Sequence, residues 1–175
     1  MSAQKSMRTI VKSKYLWRPI MNGRIVKSNP IRIVGFKTDL KERMEDNLKI
    51  IPAFWEKTLG SKQYEQMCDL ESQSPQGILG VSVYIDPQHI YYYIATATNQ
   101  PIPDQMVELE IPAATWCIVK SDGCSSSFED MFKYFLMEWL PMSGYDYAEL
   151  PDIEVYPVDS LNHLPKEVWF GIKKD

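Results

Sequence analysis

The amino-acid sequence predicts an α+β fold built from two similar halves, each with the order β-α-β-β. Two observations support this prediction: strand-like and helical periodicities follow one another in the same order twice, and each half contains one apolar helical stripe. The 175 residues are 45 % hydrophobic and 24 % charged, which is typical of a globular domain with one core. We therefore expect antiparallel strands with the helices on one side.

The first half, about residues 23–100, begins with the strand-like sequence IRIVGF after Pro30. The segments ILGVSVYID and IYYYIATAT predict two further strands, and the PQ between them indicates a hairpin. Between the first strand and this hairpin a helix is predicted over residues 47–67. Its apolar face is formed by Leu48, Ile51, Phe54, Trp55 and Leu59.

The second half, about residues 105–175, repeats this order. VELEIPAATWCIVKSDG is strand material around Pro112, and DIEVYPVD and EVWFGIKK predict two final strands. Between them SSFEDMFKYFLMEWL predicts a helix, with a capping box of Ser126 and Glu129 and an end at Pro141. The apolar stripe of this helix consists of Phe128, Met131, Phe132, Phe135, Leu136 and Trp139.

Two halves related by a pseudo-twofold axis leave a groove where they meet, and small-molecule sites favour such interfaces. Trp55 and Trp139 occupy corresponding places in the two helices, so we expect them to flank this groove. The sequence thus predicts a small-molecule site in the groove between the halves.

Several functional classes are disfavoured by the composition. The two histidines (His89 and His163) and three cysteines (Cys68, Cys117 and Cys124) lack the spacing of a metal or redox site, and we interpret the cysteines as small core residues. Neither a phosphate-binding glycine loop nor a G-x-S-x-G elbow occurs. We expect no metal and no cofactor. The few cysteines, and the lack of a signal peptide or membrane span, favour the cytoplasm.

The charge is unevenly distributed. Residues 1–38 hold nine of the 19 basic residues and no acidic one, whereas the remaining chain carries a formal charge of −13. A basic arm can contact nucleic acid. Direct DNA binding is not expected here, because no DNA-reading motif accompanies the charge, and an arm folded against its own acidic domain is favoured. Residues 1–22 are predicted to form this extension, and 23–175 the domain.

The strand DIEVYPVD places a carboxylate among apolar residues. Side chains alternate along a strand, so Glu154 and Tyr156 share one face, and Ile153 and Val155 share the other. The face of Glu154 is either exposed to solvent or lines a cavity. A glutamate surrounded by aromatic rings suits a flat, lipophilic cation, which gains both charge neutralisation and cation–π attraction.

The segments VELEIPAATWCIVKSDG, EWLPMSGY and PDIEVYP, with RIVKSNPIRIVGF and IPAFWEKTL upstream, resemble the GyrI-like effector-binding domain of bacterial multidrug-sensing transcription regulators. The resemblance covers about residues 23–174. It implies a pseudo-twofold pair of β-α-β-β repeats and a central cavity, with a floor glutamate that matches Glu154. It also implies ligand contacts by Trp139 and Phe54, and by Tyr93, Tyr156 and Trp169 from their strand positions.

Regulators of this family carry a helix-turn-helix domain before the module, and 22 residues are too few for one. The resemblance therefore implies a stand-alone member that binds lipophilic small molecules, with cations favoured, for drug sensing or sequestration. One alternative is a hydrolase in which Glu154 activates water against a reactive small molecule. Another is modulation of a protein partner, such as inhibition of DNA gyrase.

Overall fold

The computed structural model describes residues 20–122, 126–158 and 164–175, which form one antiparallel sheet of nine strands with helices on one face. The strands are β1 (Ile20–Ser28), β2 (Ile31–Asp39), β3 (Ile78–Asp86), β4 (His89–Ala97), β5 (Val107–Ile111), β6 (Ala114–Asp122), β7 (Asp146–Tyr147), β8 (Asp152–Tyr156) and β9 (Glu167–Lys173). The helices are α1 (Met44–Leu59), α2 (Lys62–Asp69), α3 (Phe128–Tyr134), which continues as a π-helical turn (Phe135–Trp139), and α4 (Leu140–Ser143).

The order of the strands shows the predicted twofold relationship. It runs β1-β6-β9-β8-β3-β4-β2-β5, with β7 beside β9. The arrangement β6-β9-β8 in one half mirrors β2-β4-β3 in the other, and the halves meet where β8 pairs with β3. Each half also receives an edge strand: β1 pairs with β6, and β5 pairs with β2. The α+β class with two β-α-β-β repeats is therefore confirmed.

Both sets of helices pack on the same face of this sheet. One row of cross-strand partners on this face spans six strands, and its two ends belong to different apolar clusters. At the β6–β9 end the row packs against α3, and at the β4–β2 end it packs against α1 and α2. The row consists of Val119, Val168, Glu154, Gly80, Ile94 and Phe36.

The opposite face carries a third apolar cluster, which contains no residue of the described helices. Trp116 and Trp169 lie 6.0 Å apart there, between ring centroids. Tyr93 and Ile153 belong to the same cluster. The core of the domain therefore lies on both faces of the sheet.

The helix boundaries differ from the prediction at three places. The single helix predicted over 47–67 is divided by Gly60 and Ser61, which lie between α1 and α2. The N-cap of α3 is Ser127 and not Ser126, because the Ser127 hydroxyl accepts a hydrogen bond from the Asp130 amide at 3.2 Å.

Pro141 does not end the second helix. A wider π-helical turn precedes it, and Pro141 lies in the first turn of α4, where the missing amide is tolerated. The chain instead leaves the helix at Gly144, whose φ of 71° favours glycine.

β1 is a strand that the periodicity did not reveal, because its nine residues mix polar and apolar side chains on both faces. All nine pair with β6. Its first three residues fall within 1–22, the predicted extension. Residues 1–19 of that extension, with Cys124 and His163, lie outside the described residues.

Candidate functional site

Glu154 lies at the junction of the two halves. Its partners in the neighbouring strands are Gly80 of β3 and Val168 of β9, and only 8 % of the residue is exposed. A Cβ atom on Gly80 would lie 2.2 Å from the Tyr92 hydroxyl. The absence of a side chain at Gly80 therefore makes the space through which Tyr92 reaches Glu154.

Two tyrosines donate hydrogen bonds to this carboxylate. The Tyr92 hydroxyl lies 3.3 Å from Oε1, and the Tyr156 hydroxyl donates a short hydrogen bond to Oε2. The indole N–H of Trp55 in turn donates to the Tyr92 oxygen at 3.1 Å. Trp55 also packs edge-on against the Tyr156 ring, with 4.9 Å between centroids. The carboxylate is thus enclosed by three aromatic side chains from both halves.

The environment of Glu154 disfavours its charge. Burial raises the pKa of this carboxyl to about 7, the tyrosine hydroxyls oppose the rise, and the charges of Glu129 and Asp152 add to it. Within the described part of the chain, no Lys, Arg or His side chain forms an ion pair with Glu154. Burial also raises the pKa of Tyr92 and of Tyr156, so both stay protonated donors.

A second carboxyl–tyrosine pair lies beside the first. Asp152 is two residues before Glu154 in β8 and therefore shares its face. The Tyr147 hydroxyl donates to Asp152 Oδ1 at 2.8 Å, and burial raises the pKa of Asp152 to about 7. Tyr147 packs on α3, in the cluster of the second half. Two carboxyls of shifted pKa thus share the helix-covered face of one strand.

The structure brings together only part of the predicted ligand-binding set. Tyr156 contacts Glu154, and Phe54 belongs to the same apolar cluster as Tyr156. Trp139 lies elsewhere: it stacks on Phe135 at 5.9 Å and packs against Gly23 of β1, in a groove of about 530 Å³. Trp55, its predicted counterpart, does lie at the junction of the halves.

Tyr93 and Trp169 lie on the opposite face of the sheet from Glu154. They occupy the row of Ile153, which alternates with the row of Glu154 along the strands. The Trp169 indole donates to Glu167 there, at 3.0 Å. Their side chains therefore point away from the tyrosine-capped carboxylate.

Tyr92 was missed because three tyrosines follow one another in β4, so that composition alone does not tell which one faces the helices. The turn of the hairpin did not supply this information either. Asp86 pairs with His89 across the turn, but the register shifts between Tyr84 and Asp86. Only the shifted register places Tyr92 opposite Ser82, on the face of Gly80. Tyr147 gave no periodic signal, because β7 contains only two residues. Asp152 shares the face of Glu154 by simple alternation in β8, but it was not singled out from the sequence.

Metal binding and thiol catalysis find little support in the part of the chain that the structure describes. No group of three potential metal ligands comes together among these residues. Burial raises the pKa of Cys117 to about 12 and also raises that of Cys68, so neither thiol is an activated nucleophile. None of the described helices is long and apolar enough to cross a bilayer.

Comparison with known proteins agrees with the family resemblance seen in the sequence. The family model of the GyrI-like small molecule binding domain matches residues 21–173. No curated protein sequence matches the chain significantly.

Solved structures share the fold at low sequence identity. SAV2435 bound to tetraphenylphosphonium superposes with a TM-score of 0.69 at 14 % identity, covering 87 % of this chain and 94 % of that one. A transcription regulation protein from Staphylococcus aureus MU50 gives 0.67 at 15 % identity, covering 88 % and 99 %. The C-terminal domain of EcmrR gives 0.55 at 13 % identity, covering 89 % and 99 %.

Because the family model spans nearly all of the sheet and every described helix, the chain belongs to the family of GyrI-like small molecule binding domains.

Proposed function

We propose that the protein binds lipophilic aromatic cations through the carboxylate of Glu154, for sensing or for sequestration. One observation carries the proposal: Glu154 is buried at the junction of the halves, and no cationic side chain among the described residues pairs with it. A buried carboxylate without a counter-ion destabilises the fold, and a bound cation would remove that penalty. The tetraphenylphosphonium held by SAV2435 is a ligand of this class.

The aromatic side chains around the carboxylate fit the same ligand class. Trp55 and Tyr156 present ring surfaces beside Glu154 that can hold a cation by cation–π attraction and stacking. A hydroxyl that now bonds to the carboxylate can rotate away when a cation arrives. Neutral aromatic molecules would gain only the stacking, so the site discriminates by charge.

Binding requires one element to move, because Trp55, Tyr92 and Tyr156 fill the space next to the carboxylate. The element best suited is α1, which carries Trp55 and buries only Thr58 fully along its 16 residues. Elements with few buried contacts open at the lowest free-energy cost. The ligand would break the hydrogen bond from the Trp55 indole to the Tyr92 hydroxyl and enter between the Trp55 ring and the carboxylate.

Tryptophan fluorescence with matched probes tests the proposal. Methyltriphenylphosphonium is the cation and triphenylphosphine oxide its neutral counterpart. Glu154→Gln should weaken binding of the cation at least tenfold at pH 8 and leave the neutral probe within twofold. Glu129→Gln, which removes a nearby exposed charge, is the control and should change the cation's affinity much less. An equal loss for both probes in Glu154→Gln would remove the carboxylate from this role.

Hydrolysis is a second candidate, favoured by the pKa of about 7 that burial gives Glu154. A carboxylate of that pKa can take a proton from water near neutral pH. Incubation with an electrophilic ester of a lipophilic cation, followed by mass analysis, separates the two functions. Intact ester after long incubation supports the binding protein, whereas product that Glu154→Gln abolishes supports the hydrolase.

The cytoplasmic location predicted from the sequence is part of the same proposal. Cys68 and Cys117 are free thiols, as in a reducing compartment.

A further inference from the structure

A second groove lies far from Glu154 along the sheet. It has a volume of about 330 Å³ and is formed where the turn between α1 and α2 faces β2 and the start of β5. Phe36 of β2 and Phe54 of α1 contribute aromatic rings to it. Phe36 and Glu154 lie in the same row of the sheet, separated by β4 and β3. Three interstrand steps put their Cα atoms roughly 14 Å apart, so the two sites are distinct.

The charge of this groove is opposite to that of the Glu154 site. Lys37 and Lys57 line it, and it has no carboxylate among its lining residues. Of these two lysines, Lys57 supplies the charge of the groove, because side chains alternate along β2 and the ammonium group of Lys37 lies over the Tyr91 ring at 4.6 Å, on the face opposite to Phe36. In the described ranges Lys57 takes part in no ion pair. An unpaired ammonium group beside aromatic surface favours an anion.

Polar side chains complete the groove. Ser61 and Gln63 enter it from the start of α2, and Gln105 enters from the segment before β5. Gln63 Nε2 donates to Gln105 Oε1 at 3.4 Å, a long hydrogen bond that a ligand can readily replace. Gln105 has a φ of 70°, a left-handed conformation that is unfavourable for a residue other than glycine. Strained residues of this kind concentrate at ligand sites.

We propose that this groove binds small aromatic anions, that is, one or two fused rings bearing a carboxylate or sulfonate. The rings lie against Phe36 and Phe54, and the anion lies beside Lys57. The amides of Gln63 and Gln105 supply hydrogen bonds to the anion, whereas the Ser61 hydroxyl donates to the Thr58 carbonyl at 2.7 Å. The volume of about 330 Å³ is within the range of small-molecule pockets and suits a ligand of this size.

The proposal is independent of the function proposed for Glu154, and one pair of fluorescent probes tests it. 8-Anilinonaphthalene-1-sulfonate is the anion, and N-phenyl-1-naphthylamine is the same ring system without the sulfonate. Lys57→Gln should weaken binding of the anion five- to tenfold and leave the neutral probe within twofold. Lys49→Gln, an exposed lysine on the same helix that does not line the groove, is the matched control and should leave both probes unchanged.

The location of the bound anion is checked in two further ways. The side-chain amide resonances of Gln63 and Gln105 should shift on addition of the sulfonate, and Glu154→Gln should retain its affinity. Equal losses in Lys57→Gln and Lys49→Gln would overturn the proposal, as would unshifted glutamine amides. If Glu154→Gln loses its affinity for the sulfonate, the sulfonate binds at the Glu154 site, which would also overturn the proposal. This result would not affect the test of cation binding.

Discussion

Tyr92 of the first half donates a hydrogen bond to Glu154 of the second half, with 3.3 Å between the hydroxyl and Oε1. The contact crosses the junction of the halves, and Gly80 makes room for it. A polar network held between two pseudo-symmetric units is costly unless each group finds a partner. Here each of these groups has a hydrogen-bond partner. No cationic side chain among the described residues, however, forms an ion pair with the carboxylate.

The first prediction concerns the pH dependence of stability. Burial raises the pKa of Glu154 from 4.5 to about 7, so the native state holds a proton that the unfolded state releases between these values. The contribution of this carboxyl to stability is therefore full below pH 4.5 and is lost as the pH rises through 7. The shift corresponds to about 3 kcal/mol. Urea unfolding at pH 5 and pH 8 should show wild type losing more stability than Glu154→Gln; parallel losses would contradict the account.

Removing a hydroxyl donor should move the pKa of Glu154 upward. The Tyr156 hydroxyl lowers this pKa by binding the charged form, so Tyr156→Phe should raise it above about 7. Carboxyl ¹³C titration by NMR measures the change. Tyr84→Phe, which alters an exposed tyrosine, is the control and should leave the titration unchanged. A lower pKa in Tyr156→Phe would show that the hydrogen bond does not favour the carboxylate.

Asp152→Asn should have the opposite effect on the same titration. The charge of Asp152 raises the pKa of Glu154, so its removal should lower that pKa. The variant should also be more stable than wild type at pH 8, because burial disfavours the Asp152 charge as well. If the titration of Glu154 is unchanged in Asp152→Asn, the two carboxyls are not coupled.

A methyl group at Gly80 should disrupt the site. It would lie 2.2 Å from the Tyr92 hydroxyl and 3.3 Å from Cε2 of Tyr156, which forces both side chains to move. Gly80→Ala should therefore lower the free energy of unfolding by about 1–3 kcal/mol. Gly60→Ala is the control: its added methyl group meets only backbone oxygens at 3.5 Å or more, and φ is −80°. Equal stability of the two variants would contradict this packing.

The fold was largely predictable from periodicity, but not all of its parts were. The apolar stripe of the second helix and the alternation in β8 are local patterns, and both predicted the observed elements. β1 could not be found in this way, because its stability comes from pairing with β6, about 90 residues further along the chain. The capping box with Glu129 favoured Ser126 by sequence, whereas the observed hydrogen bond from the Asp130 amide selects Ser127.

The site could be predicted only where the alternation of side chains along a single strand shows on which face of the sheet a residue lies. Tyr156 shares the face of Glu154 by simple alternation, and the structure brings them together. Tyr92 and Tyr93 are adjacent in β4, so choosing between them needs the register of the hairpin. Gly80 carries no side-chain chemistry, and its role follows from the space that the Tyr92 hydroxyl occupies.

The most direct test of the central claim is calorimetric titration of methyltriphenylphosphonium at pH 7 in two buffers of different ionisation enthalpy. If the cation is neutralised by a carboxyl with a pKa of about 7, binding should release roughly half a proton per ligand. Glu154→Gln should lose both this proton release and most of the affinity. Tight binding without proton release, retained in Glu154→Gln, would show that the cation is not held by Glu154.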